Sequence, residues 1–165
     1  AFQVRARPGD HLAPRIFSYS IPADAATLVS IEAAAGFGAL SLQAEFATAG
    51  VAALDGSNPR VEACYVQAGN CRTGEQRPCA GGAFGRVEPN ADLNEGAGAW
   101  ELAARYSRLD VGDMSPGGEL SNLSLGVNWY WFPHFHWKFG YESADLDAIS
   151  GKSASLFHVR AALDF

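Results

Sequence analysis

Arg5, Arg7, Arg105, Lys138 and Arg160 alternate with apolar neighbours, and Arg72, Arg77 and Arg86 fall in a stretch rich in Gly and Pro. Positive groups gathered on one side of a wall can attract an anion and replace part of its hydration shell. That chemistry is binding and selection, with no bond made. Carboxylates hold matching positions at Glu32, Glu45, Glu101, Glu142 and Asp164. The charge balance is near neutral, so each Arg reads equally well as the structural partner of a nearby carboxylate, and the residues alone do not yield selectivity. His134 and His136 share a face, but no Ser or Cys nucleophile with an orienting acid accompanies them, so no catalytic residue is assigned. The glycines of GAGAW and PGGEL read as turn glycines, because no helix follows them to cradle a phosphate.

Cys64, Cys71 and Cys79 are an odd number. Cys64 and Cys71 point to opposite faces of one strand and cannot bridge, whereas Cys71 and Cys79 could, across a short loop. No His lies near them and their spacing fits no zinc pattern, so unpaired thiols are expected and neither a metal nor a cofactor is called for.

The elements that carry these residues are strands. FQVRAR (2-7) sets Phe2, Val4 and Ala6 against Gln3, Arg5 and Arg7. LVSIEAAAGF (28-37) and ALSLQAEF (39-46) alternate in the same way about Gly38, which predicts a hairpin. VEACYVQAGNC (61-71) is a weaker strand, and the segment 73-98 then breaks the rhythm, too long for an ordinary connection. Alternation resumes from Trp100, from Leu123, from Phe135 beyond a turn at Pro133, and at Phe157, Val159, Ala161, Leu163 and Phe165. Pairing the last two strands about a loop near Ser150 places His136 beside Asp164 and Glu142 beside His158, with Arg160 diagonal to Glu142 and Lys138 to Asp164.

Charges thus share one face and aromatics the other. A face holding Trp129, Phe135, Trp137, Phe139, Tyr141, Phe157 and Phe165 is too large to leave in water and must meet a second sheet or lipid. In a soluble sandwich or ligand-binding barrel the oily side is enclosed; in a transmembrane barrel it faces lipid, with aromatic girdles at its ends and a polar lumen. Pattern alone leaves both open, and Trp and Tyr near strand ends favour lipid. The net charge of -6 and the lack of a basic stripe to neutralise phosphates disfavour nucleic acid as a partner, and none is expected. AFQVRARPGD reads as the middle of a strand, which predicts a chain that is a piece of something longer.

Several runs carry a family resemblance: IPAD (21-24), FGALSLQAEF (37-46), YVQAG followed by TGEQRP (65-78), GAFGRVEP (82-89), GAWELAARYSRLDV (98-111) and GGELSNLSLGVNWYWFP (117-133). In this order they resemble the C-terminal part of the phosphate-selective porin O/P family of Gram-negative outer membranes. The resemblance implies an all-β fold, an antiparallel transmembrane β-barrel with about eight strands present, half of about sixteen. It implies that 1-165 is the C-terminal part of a trimeric pore that passes small anions such as phosphate by diffusion, set in outer-membrane lipid. It also implies that Phe165 is read by the barrel-assembly machinery, and that 73-98 folds into the lumen with Arg77 and Arg86. The pore-lining candidates are then Arg5, Arg7, Arg77, Arg86, Arg105, Lys138 and Arg160. A small non-conducting structural barrel of the outer membrane, closed on itself and filled inside, is the competing architecture. Two positions depart from the pattern: Asn70 and Arg72 have lipid-facing parity, and an Arg at mid-bilayer costs about 2 to 4 kcal/mol, so this strand should end near Asn70 or be bulged.

Overall fold

The structure is a computed structural model and describes residues 1–7, 17–80, 83–114, 117–147 and 152–163. All its regular elements are strands: β1 (Phe2–Ala6), β2 (Phe17–Ile21), β3 (Ala23–Phe37), β4 (Leu40–Ala53), β5 (Arg60–Cys71), β6 (Cys79–Ala80), β7 (Ala83–Phe84), β8 (Ala99–Asp110), β9 (Glu119–Phe132), β10 (Phe135–Asp147) and β11 (Lys152–Leu163). Seven of them form one antiparallel sheet in the order β11-β10-β9-β8-β5-β4-β3. Every connection in it joins spatial neighbours, so the sheet is a meander, with β3 and β11 at its edges and no closed ring among the described residues. Among the described residues the sheet thus has two open edges, as expected of a piece of a larger barrel wall.

The long strands follow from the period-two pattern, and the turns from residues that tolerate them. Gly38 has φ 58° and turns β3 into β4; Pro133 and His134 turn β9 into β10. These tight turns and the segment 72–98 share one end of the sheet, here the turn end. The links 54–59 and 111–118 lie at the other, the loop end. In the first of these links the Ser57 hydroxyl and N–H donate to Asp55 Oδ1 and hold that carboxyl below its ordinary value.

The two faces of the sheet are sorted by chemistry in the sense opposite to a soluble core. Leu42, Phe46, Val66, Leu102, Leu125 and Phe157 share the apolar face and are 38 to 71% exposed. The buried polar side chains Ser41, Glu101, Asn122, His136 and Glu142 share the other face. That polar face is covered at both ends. At the loop end the β1–β2 hairpin lays Val4 and Ile21 on Ala49, Val51, Val61, Val111 and Met114. At the turn end segment 72–98 packs Val87 onto Cys71, Ala99 and Tyr130. An uncovered oily face of this extent is compatible with lipid and not with water. The soluble-barrel alternative fails on it, because there these side chains would be enclosed.

Three expectations need correction. Residues 17–21 form β2 and β3 begins at Ala23, whereas 8-27 reads in the sequence as a loop. β1 pairs only with β2, so Arg5 and Arg7 belong to a hairpin lying on the sheet and not to the wall itself. The last hairpin is shifted by two residues: Lys138 faces Arg160, Gly140 faces His158 and Glu142 faces Leu156. A two-residue slip leaves the faces unchanged, so parity could not have detected it. Its physical reason is visible at Gly140, where a Cβ would lie 2.3 Å from His158 Cε1 and Nε2. The imidazole takes the room that glycine leaves open. Asp164, Phe165 and the loop near Ser150 lie outside the described residues. The expected end of the 61-71 strand holds, since β5 stops at Cys71.

Candidate functional site

The covered face holds a polar cleft of about 270 Å³ lined by Arg77, Glu101, Arg105, Lys138, Glu142 and His158, among others. Its anchor is Glu101, which β8 aims inward and which is only 2% exposed. A carboxylate in such a place needs donors on all sides. Oε2 accepts hydrogen bonds from Arg77 Nη2 at 2.9 Å, Asn128 Nδ2 at 2.8 Å and the Tyr130 hydroxyl at 2.8 Å. Arg77 Nη2 also donates to the Tyr130 oxygen at 3.1 Å. Two neighbouring strands and the irregular segment thus converge on one oxygen, which fixes the segment against the wall.

The segment is braced from within and bonded to the strands elsewhere as well. Glu75, 3% exposed, accepts from the Asn90 N–H at 3.2 Å and bonds the Thr73 hydroxyl. Thr73 Oγ1 accepts from Trp100 N at 3.0 Å, and Leu93 N donates to Trp131 O at 3.0 Å.

Arg105 stands one step along the same face. Its guanidinium lies 3.7 Å from the centroid of the Tyr65 ring, a cation–π contact. Arg105 Nη1 donates to Gln67 Oε1 at 3.2 Å, and Gln67 Nε2 to Gln43 Oε1 at 3.0 Å. The ladder crosses three strands and holds the charge flat to the wall without a carboxylate in the chain of contacts. Lys138 faces Asn128 on one side and Arg160 on the other. Like charges directly opposite disfavour pairing by roughly 0.2 to 1 kcal/mol.

Of the candidates named from sequence, Arg77, Arg105 and Lys138 therefore meet in one cleft. Arg7 and Arg105 line a second recess of about 370 Å³ toward the loop end, beside Glu45 and Arg108. Arg108 itself is held at the rim by Asp110 at 3.2 Å and Glu119 at 2.7 Å. Arg160 adjoins the cleft in register with Lys138. Arg86 is elsewhere: its Nη1 donates to Pro133 O at 3.4 Å and contacts His134 Nδ1 at 3.0 Å, at the turn. Arg5 is exposed and opposite Ser18 in the hairpin. Tyr130 was missed in the sequence, where NWYWF reads as an aromatic girdle. Its parity with Asn128, against Trp129 and Trp131, was the signal that places it inside.

The three cysteines are unpaired. Cys71 is 4% exposed beneath the segment, Cys79 is exposed, and Cys64 has the outward parity of Val66. A membrane-impermeant maleimide should accordingly label Cys79 in the folded protein and leave Cys71 unmodified until unfolding. Equal labelling rates at both would mean that segment 72–98 does not cover the wall.

A wall with one lipid-compatible face and a polar, cation-bearing face on the other has the two-sided character of a transmembrane β-barrel wall. Residues 15–158 match the family described as phosphate-selective porin O and P. The chain belongs to that family, a family of outer-membrane porins. A search of curated proteins finds no match.

Proposed function

We propose that the chain forms about half the wall of a Gram-negative outer-membrane pore that passes small anions, phosphate among them, by diffusion and without a cofactor. The pore is a homotrimer of about sixteen-stranded barrels, with segment 73–98 folded into each lumen. The observation that carries this reading is Arg105, the cation shared by both recesses. Glu101 is buried and surrounded by three donors, so its charge is spent on Arg77, while Arg105 rests on neutral partners. Arg7, Arg105, Arg77 and Lys138 then mark a path through two adjoining recesses that share Arg105.

The test is the zero-current potential of the full-length protein in a planar bilayer under a KCl gradient. The expected sign is that of chloride preference, with added phosphate reducing the chloride current. The double variant Arg105→Glu with Lys138→Glu should move the potential toward cation preference. A native pore that prefers potassium would end the anion reading.

A further inference from the structure

We propose that the outer face carries a binding site for one anionic phospholipid, with Arg72 and Asn70 holding the headgroup phosphate and an adjoining apolar trough holding an acyl chain. The site rests on the reading that this face meets lipid, and adds to it a specific ligand at a specific place.

The trough follows from side-chain size. Ala68 and Ala104 stand opposite each other on β5 and β8, and both have outward parity. Leu102, Leu125, Val127, Phe139 and Tyr141 rise around them, and the depression between is about 530 Å³ with an almost wholly apolar lining. Two methyl side chains among large ones leave a furrow in a surface that is otherwise level.

The polar end of the furrow is the part that a bare lipid-facing wall does not need. Asn70 lines it, level with Leu40 and Leu102 in the register of the sheet. Just beyond β5, Arg72 N donates to Trp100 O at 2.7 Å, which puts Arg72 in the row of Trp100 and Trp129. Those two rings stack at 4.7 Å, and Trp129 faces Trp137 on the next strand. A row of Trp marks the membrane–water interface, the depth of the headgroups. Arg72 Nη1 reaches Asn70 Oδ1 at 3.5 Å, so the guanidinium lies on the outward side, and among the described residues no carboxylate pairs with it. A guanidinium with open donors beside an amide N–H₂ suits a phosphate monoanion. Charge, depth and furrow therefore agree on one occupant: a phospholipid of the leaflet at the turn end, with the net negative headgroup of phosphatidylglycerol. The same geometry explains why an Arg with lipid-facing parity is tolerated here, since it sits at the interface and not at mid-bilayer.

The experiment uses the full-length barrel, extracted in detergent and offered phosphatidylglycerol and phosphatidylcholine in equal amounts, with retained lipid counted by native mass spectrometry. Retention of phosphatidylglycerol several-fold over phosphatidylcholine is expected, unchanged by millimolar inorganic phosphate. Arg72→Gln should remove the preference, Arg72→Lys should keep part of it, and Ala104→Phe, which fills the furrow, should lower retention of both lipids. Equal retention of the two by the native protein, or a preference that survives Arg72→Gln, overturns the site. Loss of subunit association in Ala104→Phe with lipid unchanged overturns it too, and assigns the furrow to a contact between copies. Failure of the native protein to insert into bilayers is a different result, since it removes the lipid-facing reading itself.

Discussion

Glu101→Ala detaches segment 72–98 from the wall and leaves the sheet standing. The substitution removes the acceptor of three hydrogen bonds at once, from Arg77, Asn128 and Tyr130. Breaking a buried ion pair from one side costs about 3 to 5 kcal/mol when the surviving charge stays buried. Here Arg77 keeps 23% side-chain exposure and can turn to water, so about 2 to 4 kcal/mol is the expected loss. It falls on the segment and not on the sheet. The strands retain their ladders, while the segment keeps Thr73, Val87, Arg86 at the Pro133 turn and a few backbone contacts. Local opening with a free energy of a few kcal/mol then becomes populated. The readouts are faster maleimide modification of Cys71, faster amide exchange across 73–98 and a larger single-channel conductance. Glu101→Gln keeps an acceptor for Tyr130 and Arg77 and should show a smaller change in all three. Cys71 protection unchanged in Glu101→Ala would mean that the ion pair does not hold the segment.

Period-two parity made the wall legible from sequence. The inward set Glu101, Arg105, Lys138 and Glu142 and the outward set Leu102, Tyr106, Phe139 and Tyr141 came directly from it, as did the turns at Gly38 and Pro133. Register did not, because it depends on which side chains fit across two strands, and the fit of His158 over Gly140 is a property of the pair and not of either strand. The β1–β2 hairpin was half visible: Phe17, Tyr19 and Ile21 alternate, but Pro22 and the preceding Gly and Pro residues hid a five-residue strand behind loop composition. In the irregular segment parity carries no information. Arg77 and Arg86 were equivalent there on paper, yet one bonds Glu101 and the other caps the Pro133 turn. What separated them is the fold of the segment, in which Val87 fills the pocket over Cys71 and Ala99.

Gly98→Ala is expected to destabilise the full-length barrel more than any other glycine-to-alanine change at a turn of this sheet. Gly98 joins the segment to β8 with φ 71°, and a Cβ there would lie 2.3 Å from Tyr130 O and 3.3 Å from Trp129 Nε1. The left-handed conformation alone costs an L-residue roughly 1 to 2 kcal/mol. The contact adds to it, because Tyr130 O is backbone in the strand opposite Ala99 and cannot swing aside as a side chain does. Overpacking of this kind costs about 1 to 3 kcal/mol more. Gly38→Ala supplies the control, since φ is 58° there and nothing lies within 4 Å of the added carbon. Its expected cost is the conformational part only. The measurement is the urea midpoint of both variants refolded into vesicles, with Gly98→Ala lower by the larger amount; equal midpoints would mean that the chain relieves the clash without strain. Relief would have to come by lifting residues 97 and 98 off β9, which breaks the bond from Trp129 Nε1 to Ala97 O at 2.8 Å. That displacement pulls on the same segment that Glu101 holds. Combined with Glu101→Ala, the two losses should therefore sum to less than their separate values, because a segment already detached no longer resists the shift.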